Sequence, residues 1–166
     1  MAVNQVLEQG VAQPLQVAVT PSLTLQAGTP VMVGQLAGVT MTSNPPMLQP
    51  GTLAPLMLPS TGFVTILLAG VFMLTVTAKS ALSPSTGSAV NPGDLLYVDG
   101  GTTTTDGSNL TYNFTLDKNS SATMGNAVGA PTGVKFGSAV SVGGAAGPLL
   151  ASNATGSIAV RLKEAA

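Results

Sequence analysis

The longest apolar run in the chain is GFVTILLAGVFMLTVTAK, residues 62–79, and its assignment decides the fold class. A membrane-spanning helix needs about 20 predominantly apolar residues. The run is continuously apolar only over residues 63–76, includes Thr65 and Thr75, and has no basic flank before it, so a span is set aside. A buried helix is opposed by β-branched or aromatic side chains at Val64, Thr65, Ile66, Val71, Phe72, Thr75 and Val76. Gly70 opposes it too, since glycine costs roughly 1 kcal/mol relative to alanine inside a helix. Strands remain. Glycine within a strand marks a bulge or a close backbone approach, so the run predicts two strand arms, 63–68 and 71–77, hinged at Ala69 and Gly70.

Elsewhere the alternation of apolar and polar positions continues to favour strands. Residues 15–19 alternate and are stopped by Pro21, residues 23–25 form a shorter candidate, and a glycine turn at Gly28 feeds a strand over 31–33, followed by another over 36–41. A second turn at Gly93 introduces the same pattern, with Leu96 in the place of Val31 and Val98 in that of Val33. A fixed offset of this kind points to internally related units. Residues 110–116 alternate with Leu110, Tyr112, Phe114 and Leu116 on one face, which predicts a single strand. Residues 139–142 and 158–162 predict two more. Residues 120–128 have room for one or two helical turns, and no amphipathic helix of ordinary length is visible. The expected class is mainly β, a single domain over residues 14–166 preceded by an extended arm over 1–13.

Two stretches do not fit a compact β domain. Residues 43–60 contain Pro45, Pro46, Pro50, Pro55 and Pro59, which exclude a helix or a central strand. Yet Met47, Leu48, Leu53, Leu56 and Met57 are too apolar for a free linker, so this loop is expected to lie across a surface, its own or a partner's, with methionine suited to irregular contacts. Residues 101–157 are dominated by Gly, Ser, Thr, Asn and Ala, and read as loops joined by short strands.

Charge changes the picture most. Only 7% of the 166 residues are charged, against about 25% in ordinary soluble domains. Residues 9–78 hold no Asp, Glu, Lys, Arg or His at all. A surface so neutral suits burial against other protein chains, or a covering of uncharged polar side chains. Five basic against six acidic residues leave no footprint for nucleic acid or an anionic membrane. The N-terminus lacks the basic start and apolar core of a signal peptide. The four Asn-x-Ser/Thr sequons, at Asn109, Asn113, Asn119 and Asn153, are read as polar-loop composition.

The absence of histidine and cysteine removes Ser-His and Cys-His catalysis and ordinary zinc sites. Asp94, Asp99, Asp106 and Asp117 are the remaining acid–base candidates, and all four positions suit turn-forming aspartate. The 99–107 stretch lacks the ligand spacing of a calcium loop. Gly143, Gly144 and Gly147 precede Pro148 and no helix, so they offer no phosphate cradle. No enzyme activity, cofactor, metal or small-molecule substrate is expected.

Several features in order resemble the small capsid cement, or head decoration, proteins of tailed bacteriophages. They are the arm Asn4-Gln5-Val6-Leu7-Glu8-Gln9-Gly10, the unit from Gly28 to Gly34 continuing to Gly38 and Val39, the step Gly70-Val71-Phe72, the second unit Gly93-Asp94-Leu95-Leu96-Tyr97-Val98, and the closing Val160-Arg161-Leu162. The resemblance implies a compact β-barrel or β-tulip-like subunit, with Gly28, Gly70 and Gly93 in structural roles. It also implies a homotrimer on the outer surface of the virion head, partnered by the major capsid protein. Within it, Ala2, Val3, Asn4, Gln5, Val6, Leu7 and Val11 are expected to form a capsid-binding arm that adds a strand to a capsid sheet, with loop contacts from Met47, Leu48, Leu53, Leu56 and Met57. The proline-rich loop and the long polar stretch after Gly100 depart from the family pattern. Other readings are a tail-tube or head-fibre base subunit, and a carbohydrate-binding β domain, for which the few aromatics offer poor stacking platforms.

Overall fold

The computed structural model describes residues 5–7, 14–45, 62–78, 89–105, 108–118, 134–143 and 147–162. Within them the chain is entirely β, with no helix. The domain is a small barrel with an additional sheet.

Five strands close the barrel: β6 (Val71–Thr77), β10 (Thr115–Asp117), β7 (Leu95–Asp99), β11 (Lys135–Val140) and β12 (Thr155–Leu162), which returns to β6. Neighbours are antiparallel except β10, which runs parallel to β6. The β6–β12 seam holds continuous register from Val71↔Arg161 to Thr77↔Thr155. Alternation along each strand sends Phe72, Leu74, Val76, Leu96, Val98, Leu116, Phe136, Ile158, Val160 and Leu162 inward, all buried. Burying a side chain of this size contributes about 1.5–3 kcal/mol, and the interior is filled with packed side chains. The outer edge of β6 is shared. β10 occupies it at Val76 and Thr77, and β1 (Gln5–Leu7) at Val71 and Phe72, with a bulge between Gln5 and Leu7.

The second sheet orders β2 (Pro14–Ala18), β5 (Phe63–Leu67), β4 (Leu36–Thr40), β3 (Pro30–Val33), β9 (Leu110–Tyr112) and β8 (Thr102–Thr103). Met32, Ala37, Val39 and Leu67 on one side join the barrel core. Val17, Val31, Val64, Ile66 and Leu110 on the other form a second core with Val19 and Leu25. Burial on both faces explains the near-continuous apolar sequence of β5.

The two arms of the long apolar run are therefore β5 and β6, as expected, but they belong to different sheets. Gly70, with φ of 127°, is the corner where the chain passes from the second sheet into the barrel. It is not a bulge within one strand. Two further sheet changes lie within the described residues: the chain leaves the barrel between β7 and β8 through Gly100 and Gly101, and re-enters it between β9 and β10 through Asn113, whose φ is 56°. The strand expected over 110–116 is thus two. Leu110 and Tyr112 pack in the second core, while Phe114 and Leu116 pack with the barrel. Asparagine tolerates the left-handed conformation that turns the chain. Gly101 faces this corner: a Cβ on it would lie 3.0 Å from Phe114 Cβ and 3.1 Å from the Tyr112 carbonyl oxygen.

Two shorter expectations are also revised. Residues 23–25 contribute a single bridge, Leu25↔Asn44, and no strand. The strand expected over 139–142 lies further toward the N-terminus, as β11, while the one expected over 158–162 is present and begins three residues earlier, as β12. The helical turns expected over 120–128 lie outside the described residues.

Candidate functional site

Of the expected capsid-binding arm, Gln5, Val6 and Leu7 form β1 on the chain's own β6. Ala2, Val3, Asn4 and Val11 lie outside the described residues, as do Met47, Leu48, Leu53, Leu56 and Met57 of the proline-rich loop. The two ends of that loop are held together. The buried Asn44 side chain accepts a hydrogen bond from the Gly62 N–H at 2.9 Å, and its Nδ2 donates to the carbonyls of Leu23 at 2.6 Å and Thr20 at 3.3 Å. Residues 44 and 62 are thus pinned to the turn that follows β2.

Gly28 and Gly93 sit at the third position of two turns, with φ of 88° and 90°. This is the conformation a type II turn demands of glycine. Gly70 is the corner already described. All three have positive φ at a turn or corner of the backbone.

Asp94, Asp99 and Asp117 lie in separate surroundings. Asp94 Oδ2 accepts from the Asn91 N–H at 2.7 Å and pairs with Lys118 Nζ at 2.7 Å, while Lys118 also donates to the Ala89 carbonyl. Burial raises the Asp94 carboxyl, but the Asn91 hydrogen bond and the Lys118 ammonium outweigh it and hold the group below its ordinary value. Asp99 turns one oxygen into a buried position without a hydrogen-bond partner, and Asp117 is buried beside Tyr97 in the ladder. Asp106 lies outside the described residues. Among the described residues no three His, Cys, Asp or Glu side chains converge to hold a metal.

Two hollows of the described surface are lined by uncharged residues. A groove of about 340 Å³ runs where β6 and β10 meet the turn before β3, lined by Thr29, Thr75, Thr115, Asn113 and Phe114 among others. A shallower hollow of about 190 Å³ on the barrel exterior is lined by Met73, Val140, Val142, Leu149 and Ala159. Leu36, Phe63, Leu95 and Val142 are the exposed large hydrophobic side chains. Pro14, Gln16 and Ala18 of β2, whose outer edge has no neighbour among the described strands, are all exposed. Hydrophobic patterning could not single out this edge, because strand order decides which strand is terminal. The only signal in the sequence is a short alternating stretch bracketed by Pro14 and Pro21.

Searches of protein-family models, of curated proteins and of solved structures found no match to this chain.

Proposed function

We propose that this chain is a structural virion protein of a tailed phage, which binds the outer surface of the mature head as a homotrimer and cements neighbouring capsomers of the major capsid protein. The order of sequence features that resembles the cement proteins motivates the reading. The observation that carries it is the uncharged stretch of residues 9–78. That stretch supplies β2 to β6, and it leaves Gln16, Ala18, Leu36 and Phe63 at the surface.

Such a surface buries broadly against protein without desolvating ions, a step that costs several kcal/mol per unpaired charge. A clamp bound across subunit boundaries stabilises only the state that presents its site, by mass action, which suits a shell strained by packed DNA. No catalysis, cofactor, nucleic acid or membrane enters this role. The arm takes part as an extended segment anchored by Gln5–Leu7 on β6, with the shell contacts falling to Ala2, Val3, Asn4 and Val11.

The test is to mix the purified chain with undecorated heads and image them. Discrete three-fold knobs where capsomers meet are expected. Rings or shafts formed by the chain, or heads that remain bare, would sink the proposal.

A further inference from the structure

We infer that β2 is a strand-addition edge that receives an extended, uncharged segment of a partner polypeptide. Among the described residues β2 is the terminal strand of the second sheet, with β5 as its one neighbour. The Val19 N–H donates to the Gly62 carbonyl at 2.8 Å. Counting back in twos along the unbroken register from Ala18↔Phe63 to Pro14↔Leu67 turns Val17 and Leu15 toward β5 as well. The backbone groups of Gln16 and Ala18 therefore point away from the sheet, and no described strand lies on that side.

Exposed edges are usually protected by charges, inward-pointing ions or bulges. Here there is no charge between residues 9 and 78 and no bulge against β5. Pro14 and Pro21 bracket the edge and limit the ladder to the residues between them. The chemistry of the occupant follows from the surroundings. The edge offers unpaired N–H and C=O groups, which an extended backbone satisfies. It is flanked by Phe63, 38% exposed beside Ala18, which favours an apolar side chain opposite. It holds no ion to pair with a charged one.

A second copy of β2 is a poorer fit than a strand from another protein. Antiparallel self-pairing about Gln16 sets Pro14 opposite Ala18 at both ends, and proline has no N–H to give. A different strand meets that deficit once. The inference rests on the proposed function in naming the shell as the source of the strand.

The test compares the full wild-type chain with Gln16→Pro. The residue 16 N–H points outward, so proline there leaves the β2–β5 hydrogen bonds intact, and Leu15 is already in the extended conformation that a following proline requires. The variant is expected to keep its thermal midpoint within a few degrees and to bind undecorated heads at least tenfold more weakly. Amide exchange at Gln16 and Ala18 is expected to be fast in the free wild-type chain and to slow on head binding. If proline prevents folding, Gln16→Lys takes its place as a charged guard on the same edge. Equal head binding by wild type and a folded edge variant overturns the inference alone. Heads that take up no wild-type chain overturn both this inference and the reading it rests on. A fall in the mass of the free protein in the edge variant makes a second copy the occupant and overturns the inference.

Discussion

Gly28 and Gly93 hold the same place in two copies of one hydrogen-bonded frame. The Gly28 N–H donates to the Thr40 carbonyl and the Thr40 N–H donates to Thr29. Likewise the Gly93 N–H donates to Ala139 and the Ala139 N–H donates to Asp94. Three residues upstream of each glycine lies a buried apolar residue in an isolated antiparallel bridge, Leu25 to Asn44 and Val90 to Leu150. One frame leads into β3 of the second sheet and the other into β7 of the barrel. The offset read from the sequence is thus a repeated supersecondary unit, one in each layer.

At Gly93 the frame makes a clean prediction. A Cβ there meets nothing within 4 Å, so the cost of a side chain comes from φ of 90° alone. Gly93→Ala is expected to lower stability by about 1–2 kcal/mol, and Gly93→Asn by less, because asparagine tolerates this region better. Urea unfolding of the three proteins checks the order. Equal midpoints for glycine and alanine would contradict the turn geometry.

Gly70 should be less forgiving. Its φ of 127° lies where branched residues are genuine outliers, and the corner it forms joins two separately packed cores. Gly70→Val is expected to cost about 1–3 kcal/mol, read as a lowered thermal midpoint. An unchanged midpoint would mean that the corner can be turned without glycine.

The pattern of residues 63–77 disclosed both strands and the hinge, but not that the hinge changes sheets. Alternation reports which faces are buried and is blind to which core each face enters. For the same reason Leu110, Tyr112, Phe114 and Leu116 read as one face, although Asn113 divides them between two cores. Gly137 was silent as well. A Cβ there would collide with the Arg161 carbonyl oxygen across the β11–β12 ladder, a constraint set by a partner strand more than twenty residues away. The candidate surface was legible only as a lack of charge, since an edge becomes an edge through strand order.

Asn44 ties three segments from a fully buried position. Asn44→Ala leaves the Gly62 N–H and the Leu23 carbonyl without their partner, and a buried orphan group costs about 1–3 kcal/mol. Asn44→Asp keeps the acceptor for Gly62 but turns a carboxylate toward the carbonyls of Leu23 and Thr20. It is expected to be the worse variant at pH 7 and to recover part of the loss near pH 3, where the added group is protonated and can donate. Thermal melts at the two pH values separate the variants.

Asp94 sets the last expectation. Its carboxyl lies below the ordinary value of 3.8 in the folded chain, so between the folded and unfolded values the unfolded state binds the extra proton. Stability from this group is present above about pH 4 and is lost as pH falls through the folded value. Asp94→Asn and Lys118→Met both break the pair, but only the first removes the titrating group. The asparagine variant is expected to show a shallower loss of stability below pH 4 than wild type. The methionine variant is expected to keep a reduced slope, because the Asn91 N–H still favours the charged carboxylate. Urea midpoints measured from pH 2 to pH 6 decide it, and a wild-type slope in Asp94→Asn would place the acid sensitivity elsewhere in the chain.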